Sequence, residues 1–451
     1  MELEYLHVDM FYGIWIHLSI SEKYALFTMN RNLKLLCTEC FSLDHHLNLM
    51  YGSPYPGNYL TNRVNLDRMS LLRLRNLLDL MPNIMEVKFH LLSTDNLILQ
   101  NYFSQVLILI LNYYPSLTKL YCDDIVLSRH HLTYFVPLAD SIKFLGFNII
   151  SYLFKDDIRT FLTQFTNLQS LRCNRLRIQQ RTLQRELYPI SLPLFPESLS
   201  KFTFYGLIRN SISDFIQYPS SILDFSIFPT TFLPLPYSPD SFSCLLSMTN
   251  LIILSIPHTN ITDDQLLLIR QNLPNITSLN VGACFNLTEY GFCQFPLFTN
   301  LQKLSVSYLS VPYDILLDLT VQTLDVSHSH YDIVKPFHLI LGIPTLKSIM
   351  YDNTGCVCPE CCFLQHVLLD HDVATFRNNW PALNRSILIF VQQDDYHLYH
   401  FDHALGSMPR VTICDYTHPL APKFFVDMYT YYRNLYFSTP YNSHSDSSDE
   451  N

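Results

Sequence analysis

Glycine is scarce here, with 10 among 451 residues, where an average chain has ~7%. Loops that cradle nucleotides need clustered glycines, because only bare backbone can approach a phosphate closely. Neither a GxGxxG nor a GxxxxGK[ST] run occurs, which argues against a dinucleotide-binding or P-loop enzyme. Charge is thin as well: 15% of residues are Asp, Glu, Lys or Arg, against an ordinary ~25%. What charge there is leans acidic, with 29 Lys and Arg against 39 Asp and Glu and a net charge of −10. No basic stripe stands out, so nucleic acid is not an expected partner. The longest fully apolar run, VLILIL at 106–111, is far shorter than the ~18 residues that span a bilayer, so no membrane association is expected. The first 20 residues hold Glu2, Glu4 and Asp9 but no Lys or Arg, unlike a secretory signal. The expected location is therefore the cytoplasm or nucleus, with the 12 cysteines reduced or metal-bound. The sequons at Asn260, Asn275, Asn286 and Asn384 are then chance matches. HExxH and GxSxG are both missing, and the Asp- and His-rich run at 394–403 lacks the regularity of a metal site. No catalytic residue is expected.

Apolar residues, by contrast, make up 48% of the chain, which is incompatible with general disorder. They follow a period. The pattern apolar-x-x-apolar-x-apolar starts at Ile84, Leu117, Ile142, Leu168, Leu199, Ile222, Leu251, Ile276, Leu301, Val321 and Leu346. Successive starts lie 20 to 33 residues apart, mostly within the 20–29-residue period of leucine-rich repeats. Asn or Ser immediately precedes nine of the eleven starts. One unit cannot bury its own apolar positions, so the units must stack their strands into a parallel sheet with one continuous core. The expected architecture is an α/β leucine-rich-repeat solenoid, strands inside and helices or loops outside. TDDQLLLIRQNL at 262–273 shows the return path. Thr262 and Gln265 form a capping box, Asp263 and Asp264 sit at the favourable end of the helix dipole, and Leu266, Ile269 and Leu273 share the inward face.

The stretch 279–306 resembles the cysteine-containing subtype of leucine-rich repeat, through Leu279, Val281, Cys284, Leu287, Thr288, Gly291, Leu301, Leu304 and Val306. The preceding unit matches with Asn260 in place of the cysteine. The N-terminal residues predict short helices with Met10, Ile14 and Leu18 on one face, then a second helix capped by Ser21. They resemble an F-box through Leu6, Asp9, Met10, Ile14, Trp15 and Leu18, with Glu22, Leu26, Arg31 and Leu36 at later positions. His7 and Asn30 replace the usual proline and cysteine, so the box is degenerate.

The expected organisation is a helical F-box-like module at 1–45, a linker and capping helix at 46–83, repeats at 84–362, a C-terminal cap with irregular repeats at 363–440, and a disordered acidic tail at 441–451. Strands are expected at 386–391 and 411–414 within the cap. The resemblance to F-box/leucine-rich-repeat proteins implies the substrate-recognition subunit of an SCF-type cullin–RING ubiquitin ligase. In that reading Leu6, Asp9, Met10, Ile14, Trp15 and Leu18 dock a Skp-family adaptor, and the repeats hold an unknown protein target. Residues beside the apolar positions would line the concave face, among them Arg172, Arg175, Tyr205, Lys303, Tyr308, Asp325 and His328, with Lys119, Tyr121 and Lys201. Arg and Tyr dominate binding hot spots. The alternatives are a plain repeat scaffold and a small-GTPase regulator, the latter suggested by repeats joined to an acidic tail.

No cofactor is required by this reading, but a structural metal is an option. Cys356, Cys358, Cys361 and Cys362, with His366 as alternative, have spacing that suits a structural Zn²⁺. A thiol-rich loop without metal is the other reading. Cys37 and Cys40, followed by His45 and His46, form a weaker grouping, better read as helix core.

Overall fold

The computed structural model describes residues 15, 18, 20–29, 37, 39–41, 43–51, 63–66, 69–91, 97–127, 129–149, 161–175, 195–205, 219–228, 239–327, 336–351, 386–391 and 411–414. They fall into two compact units, one within Met1–Phe225 and Ser238–Asn250, the other within Ser226–Tyr237 and Leu251–Asn451.

Among the described residues, the first complete element of the first unit is helix α1 (Ile20–Met29), which begins one residue before the expected cap, Ser21. Strands β1 (His46–Tyr51), β2 (Arg63–Asn65), β3 (Glu86–Leu91), β4 (Lys119–Leu127), β5 (Phe144–Ile149), β6 (Ser170–Arg175) and β7 (Lys201–Tyr205) follow. Their order is β2-β1-β3-β4-β5-β6-β7, and every pairing is parallel. Helices α2 (Leu71–Leu78), α3 (Leu97–Tyr113) and α4 (Arg129–Phe135) lie between strands. The VLILIL run belongs to α3, where Val106, Leu107, Ile110 and Leu111 are buried. Strand β8 (Asp224–Phe228) stands at the division, and α5 (Pro239–Leu246) belongs to the first unit.

In the second unit the strands are β9 (Ile253–Ser255), β10 (Ser278–Asn280), β11 (Lys303–Ser305), β12 (Thr323–Asp325), β13 (Ser348–Tyr351), β14 (Ile387–Val391) and β15 (Val411–Cys414), neighbours in that order and parallel. Helices α6 (Asp263–Asn272), α7 (Glu289–Phe292), α8 (Tyr313–Leu317) and α9 (Pro336–Gly342) connect them. The chain is a leucine-rich-repeat solenoid of the α/β class.

All eleven repeat starts are buried, none more than 4% exposed. Burying a side chain of this size stabilises by ~1.5–3 kcal/mol relative to leaving it in water. The residue before each start explains the Asn and Ser flank. Ser141, Ser198 and Ser221 Oγ and Thr345 Oγ1 donate to the carbonyls of Leu117, Leu168, Leu199 and Val321, the starts of the preceding repeats, at 2.7–2.9 Å. Asn167, Asn250 and Asn300 reach one repeat back to the carbonyls of Asp140, Ser220 and Pro274 at 2.8–3.0 Å. The flank therefore satisfies carbonyls at the strand entrance that the sheet leaves unpaired.

β1 falls in the stretch expected as linker. It is a repeat that the apolar pattern does not reveal. Backbone N–H groups of Met85 and Glu86 both donate to His45 O, as those of Thr118 and Lys119 do to Met85 O. That equivalence puts Asp44 at the position where later repeats carry a buried Leu, Ile or Val. Asp44 is 3% exposed, and its carboxylate is compensated by Lys23 Nζ at 3.2 Å and Trp15 Nε1 at 3.1 Å.

The capping box on α6 forms as expected. Thr262 N–H donates to Gln265 Oε1 at 3.0 Å, and Gln265 N–H to Thr262 Oγ1 at 3.4 Å. Leu266, Ile269 and Leu273 are fully buried. Cys284 is fully buried and donates to Ile256 O at 3.3 Å. Burial pushes its thiol up to about 11, partly offset by hydrogen bonds from Thr259 and His258. The equivalent residue one repeat earlier is Thr259, not Asn260. Thr259 Oγ1 lies 3.3 Å from Cys284 Sγ and also donates to Ile256 O, whereas Asn260 is only half-buried. A small side chain fits this inward position and an amide does not. Gly291 is required by close approach: a Cβ there would collide with the Asp263 carboxylate, which itself accepts from Thr288 N at 2.9 Å.

Candidate functional site

The alternation of each strand sends one set of side chains into the core and the other to the opposite face. In β3 to β7 the inward set is Val87, Phe89, Leu120, Cys122, Leu145, Phe147, Leu171, Cys173, Phe202 and Phe204, all buried. The opposite face includes two rows whose side chains are described. In one, His46, Glu86, Lys119, Phe144, Ser170 and Lys201 stand side by side. In the other, Asn48, Lys88, Tyr121, Gly146, Arg172 and Thr203 do so.

Charge and aromatic rings are interleaved on this face. Glu86 accepts from Lys88 Nζ at 2.6 Å and Lys119 Nζ at 3.2 Å, with His46 Nδ1 3.3 Å away. Burial raises the Glu86 carboxyl, but the bonds and charges of the two lysines outweigh it, and its pKa lies below the usual value. Lys88 Nζ sits 5.3 Å from the Tyr121 ring centre and Lys119 Nζ 5.2 Å from that of Phe144, within cation–π range. Lys201 pairs with Asp224. The side chains of Lys88, Lys119 and Lys201 keep 39%, 39% and 35% of their surface.

The second unit presents a different face, made of small polar groups bonded to one another. Asn280 Nδ2 donates to Ser255 Oγ at 2.9 Å, and Gly282 N–H to Asn280 Oδ1 at 3.0 Å. Asp325 repeats the device two strands on. Its Oδ2 accepts from Ser305 Oγ at 2.6 Å, and its Oδ1 from Ser327 N at 3.0 Å and Ser327 Oγ at 2.6 Å. His258, Ala283 and Tyr308 occupy the same place in three successive repeats and all have φ between 56° and 61°. Each N–H donates to the following repeat, at Gly282, Ser307 and Ser327 O. The rings of His258 and Tyr308 lie 6.2 Å apart. Burial holds the His258 imidazole down at about 4.

The residues expected to bind a target are sorted accordingly. Arg172, Lys303 and Tyr308 are half-buried. Asp325 is wholly buried and committed to Ser305 and Ser327, so it braces the sheet and presents nothing to a target. Arg175 and Tyr205 end β6 and β7, their side chains outside the described residues, as is His328. Glu86 and Lys88 were absent from the sequence-derived set, although their places in the repeat starting at Ile84 match those of Lys119 and Tyr121.

Of the adaptor-facing candidates, Leu6, Asp9, Met10 and Ile14 lie outside the described residues, and Leu18 is half-buried. Trp15 is a correction. It is fully buried, edge-on to Phe41 at 4.7 Å and bonded to Asp44, so it serves the core around those two residues. Cys37 and Cys40 share that core, with thiols pushed by burial up to about 11 and about 12. Nearby, His45 Nδ1 contacts Asn83 O at 3.0 Å. Cys356, Cys358, Cys361, Cys362 and His366 lie outside the described residues. Among the described residues no group of three or more His, Cys, Asp or Glu is placed to hold a metal, and no helix is long and apolar enough to cross a membrane.

Neither a protein-family model nor a curated protein matches the chain. Similar solved structures exist at low identity. One is an internalin, InlF, from Listeria monocytogenes strain 4b F2365, at 14% identity and TM-score 0.38, covering 87% of this chain and 86% of that one. Another is a chain of the yeast Rad7–Elc1 complex, at 13% identity and TM-score 0.39, covering 79% and 92%.

Proposed function

We propose that this chain is the target-recognition subunit of an SCF-type cullin–RING ubiquitin ligase, acting in the cytoplasm or nucleus. Its N-terminal module docks a Skp-family adaptor, and its sheet face holds a protein target. No residue of the chain performs the chemistry; its contribution is proximity, which converts an encounter into an event within one assembly.

The observation that carries this reading is the junction at Asp44. Trp15 and Lys23, from the F-box-like segment, converge on the first position of the first repeat. Trp15 and Lys23 thus pack against the first repeat. Such a junction supports a receptor role, because an adaptor bound at one end then holds the target face in a defined place.

The test is co-purification of the intact chain with a Skp-family adaptor, compared with a Leu6→Ala, Ile14→Ala, Leu18→Ala chain. A stoichiometric complex lost in the triple variant supports the proposal. A folded intact chain that captures no adaptor refutes it. A scaffold without adaptor would then be the better reading. It has two observations in its favour: the departures at His7 and Asn30, and the use of Trp15 as core.

A further inference from the structure

We infer that the face of β3 to β7 binds an extended acidic segment of the partner protein, with carboxylates about four residues apart and an apolar residue midway between them. The inference names the chemistry of the target and rests on the target-holding role proposed above.

Charge is the first argument. On the two rows described above, Lys88, Lys119, Arg172 and Lys201 face Glu86 and, beyond the edge of β7, Asp224. Four cations against two acids leave these two rows positive, on a chain whose net charge is −10; beyond them β4 continues through Asp123 and Asp124, whose side chains lie outside the described residues. The corresponding places in β9 to β13 hold Ile253, Ser255, Ser278, Asn280, Lys303, Ser305, Thr323, Asp325, Ser348 and Met350, with Lys303 the one cation. Attraction for a negative partner is therefore concentrated on one stretch of sheet, which steers encounter and fixes register.

Spacing is the second argument. Lys88 and Arg172 share a row and are separated by three strand steps, through Tyr121 and Gly146. Lys119 and Lys201 are likewise three steps apart, through Phe144 and Ser170. At ~4.8 Å per step the cations of each pair stand ~14 Å apart, which an extended chain covers in about four residues. A peptide crossing the strands thus meets a cation with residues i and i+4, which project from the same side. Between the cations lie the half-buried Tyr121 and Phe144, with Gly146, itself buried, next to Tyr121 in the row. That middle place suits an apolar side chain at i+2. Glu86 acts as the internal stand-in: its carboxylate already takes Lys88 and Lys119 in the way that a ligand carboxylate would.

The probe is a fluorescein-labelled peptide, (Glu-Ser-Leu-Ser)₃, titrated against the full-length chain at low salt. Its partners are a peptide of the same composition with its acids clustered at one end, the same sequence with Gln for Glu, and a single-stranded RNA of matched length. The spaced peptide is expected to bind about tenfold more tightly than the clustered one, and to weaken steeply with salt. A chain with Lys88→Gln and Arg172→Gln should lose about tenfold in affinity, while Lys303→Gln, in the second unit, should lose nothing. Circular dichroism and thermal melting confirm that each variant folds; should the double variant fail to fold, the spaced, clustered and neutral peptides on the native chain still decide the matter. Equal binding of the spaced, clustered and neutral peptides overturns the inference, as does tighter binding of the RNA or a folded double variant with native affinity. Adaptor capture by the double variant reports separately on the ligase reading: peptide binding without adaptor capture would leave this inference standing and remove that one.

Discussion

Asp325 offers the sharpest test of how the second unit is held together. Its carboxylate is fully buried and takes three hydrogen bonds, from Ser305 Oγ, Ser327 N and Ser327 Oγ. Bonds to a charged acceptor contribute ~1.5–3 kcal/mol each, and a buried donor left without a partner costs ~1–3 kcal/mol. The three share one carboxylate and are not additive, so Asp325→Ala is expected to destabilise by roughly 3–5 kcal/mol. Asp325→Asn should cost far less, about 1 kcal/mol. The geometry for it already exists: Asn280 accepts from the N–H two residues on and donates to the serine of the preceding strand. Urea unfolding gives the totals. Repeat arrays can unfold in stages, so amide hydrogen exchange at Ser305, Asp325 and Ser327 locates the loss. An Asp325→Ala chain within ~0.5 kcal/mol of the native one would refute the reasoning. The carboxylate would then be a surface group, available to a target after all.

Four further outcomes are expected. His258 is neutral in the fold, held at about 4 against an ordinary 6.5. The unfolded chain therefore takes up a proton that the folded chain refuses, so stability falls as pH drops from about 6.5 towards 4, by up to ~3 kcal/mol; a His258→Gln chain should show a shallower acid limb in pH-dependent melting. Asp44→Ala leaves Lys23 buried beside Trp15 without its counter-charge, a loss of ~3–5 kcal/mol, whereas the pair Lys23→Met with Asp44→Leu should recover most of it in the same melts. Thr262→Ala removes one half of the α6 capping box and should cost ~1 kcal/mol by urea unfolding. Elemental analysis of chain purified without added metal is expected to find about one zinc per chain, bound through Cys356, Cys358, Cys361 and Cys362 or His366; a folded, metal-free chain would refute that site.

The sequence by itself determined the repeat. Apolar spacing located every strand from Glu86–Leu91 to Ser348–Tyr351, because an inward position accepts no water and so constrains residue type. It also marked the two later strands, through their apolar runs, and the α6 cap, whose two residues stand three apart. Three things were decided only by the tertiary structure. Asp44 breaks the apolar pattern, and only the approach of Lys23 and Trp15 from a distant segment makes it a core residue. Asp325 has the spacing of a surface residue, and only its bonds with Ser305 and Ser327 across the sheet face make it a buried brace. On the face of β3 to β7 the repeat already aligned Lys119, Tyr121, Arg172 and Lys201, and only the structure joined Glu86 to Lys88 and Lys119. The physical reason is common to all three. Burial of an apolar side chain depends on the local period, whereas the environment of a charge depends on which partners the fold brings within a few ångströms.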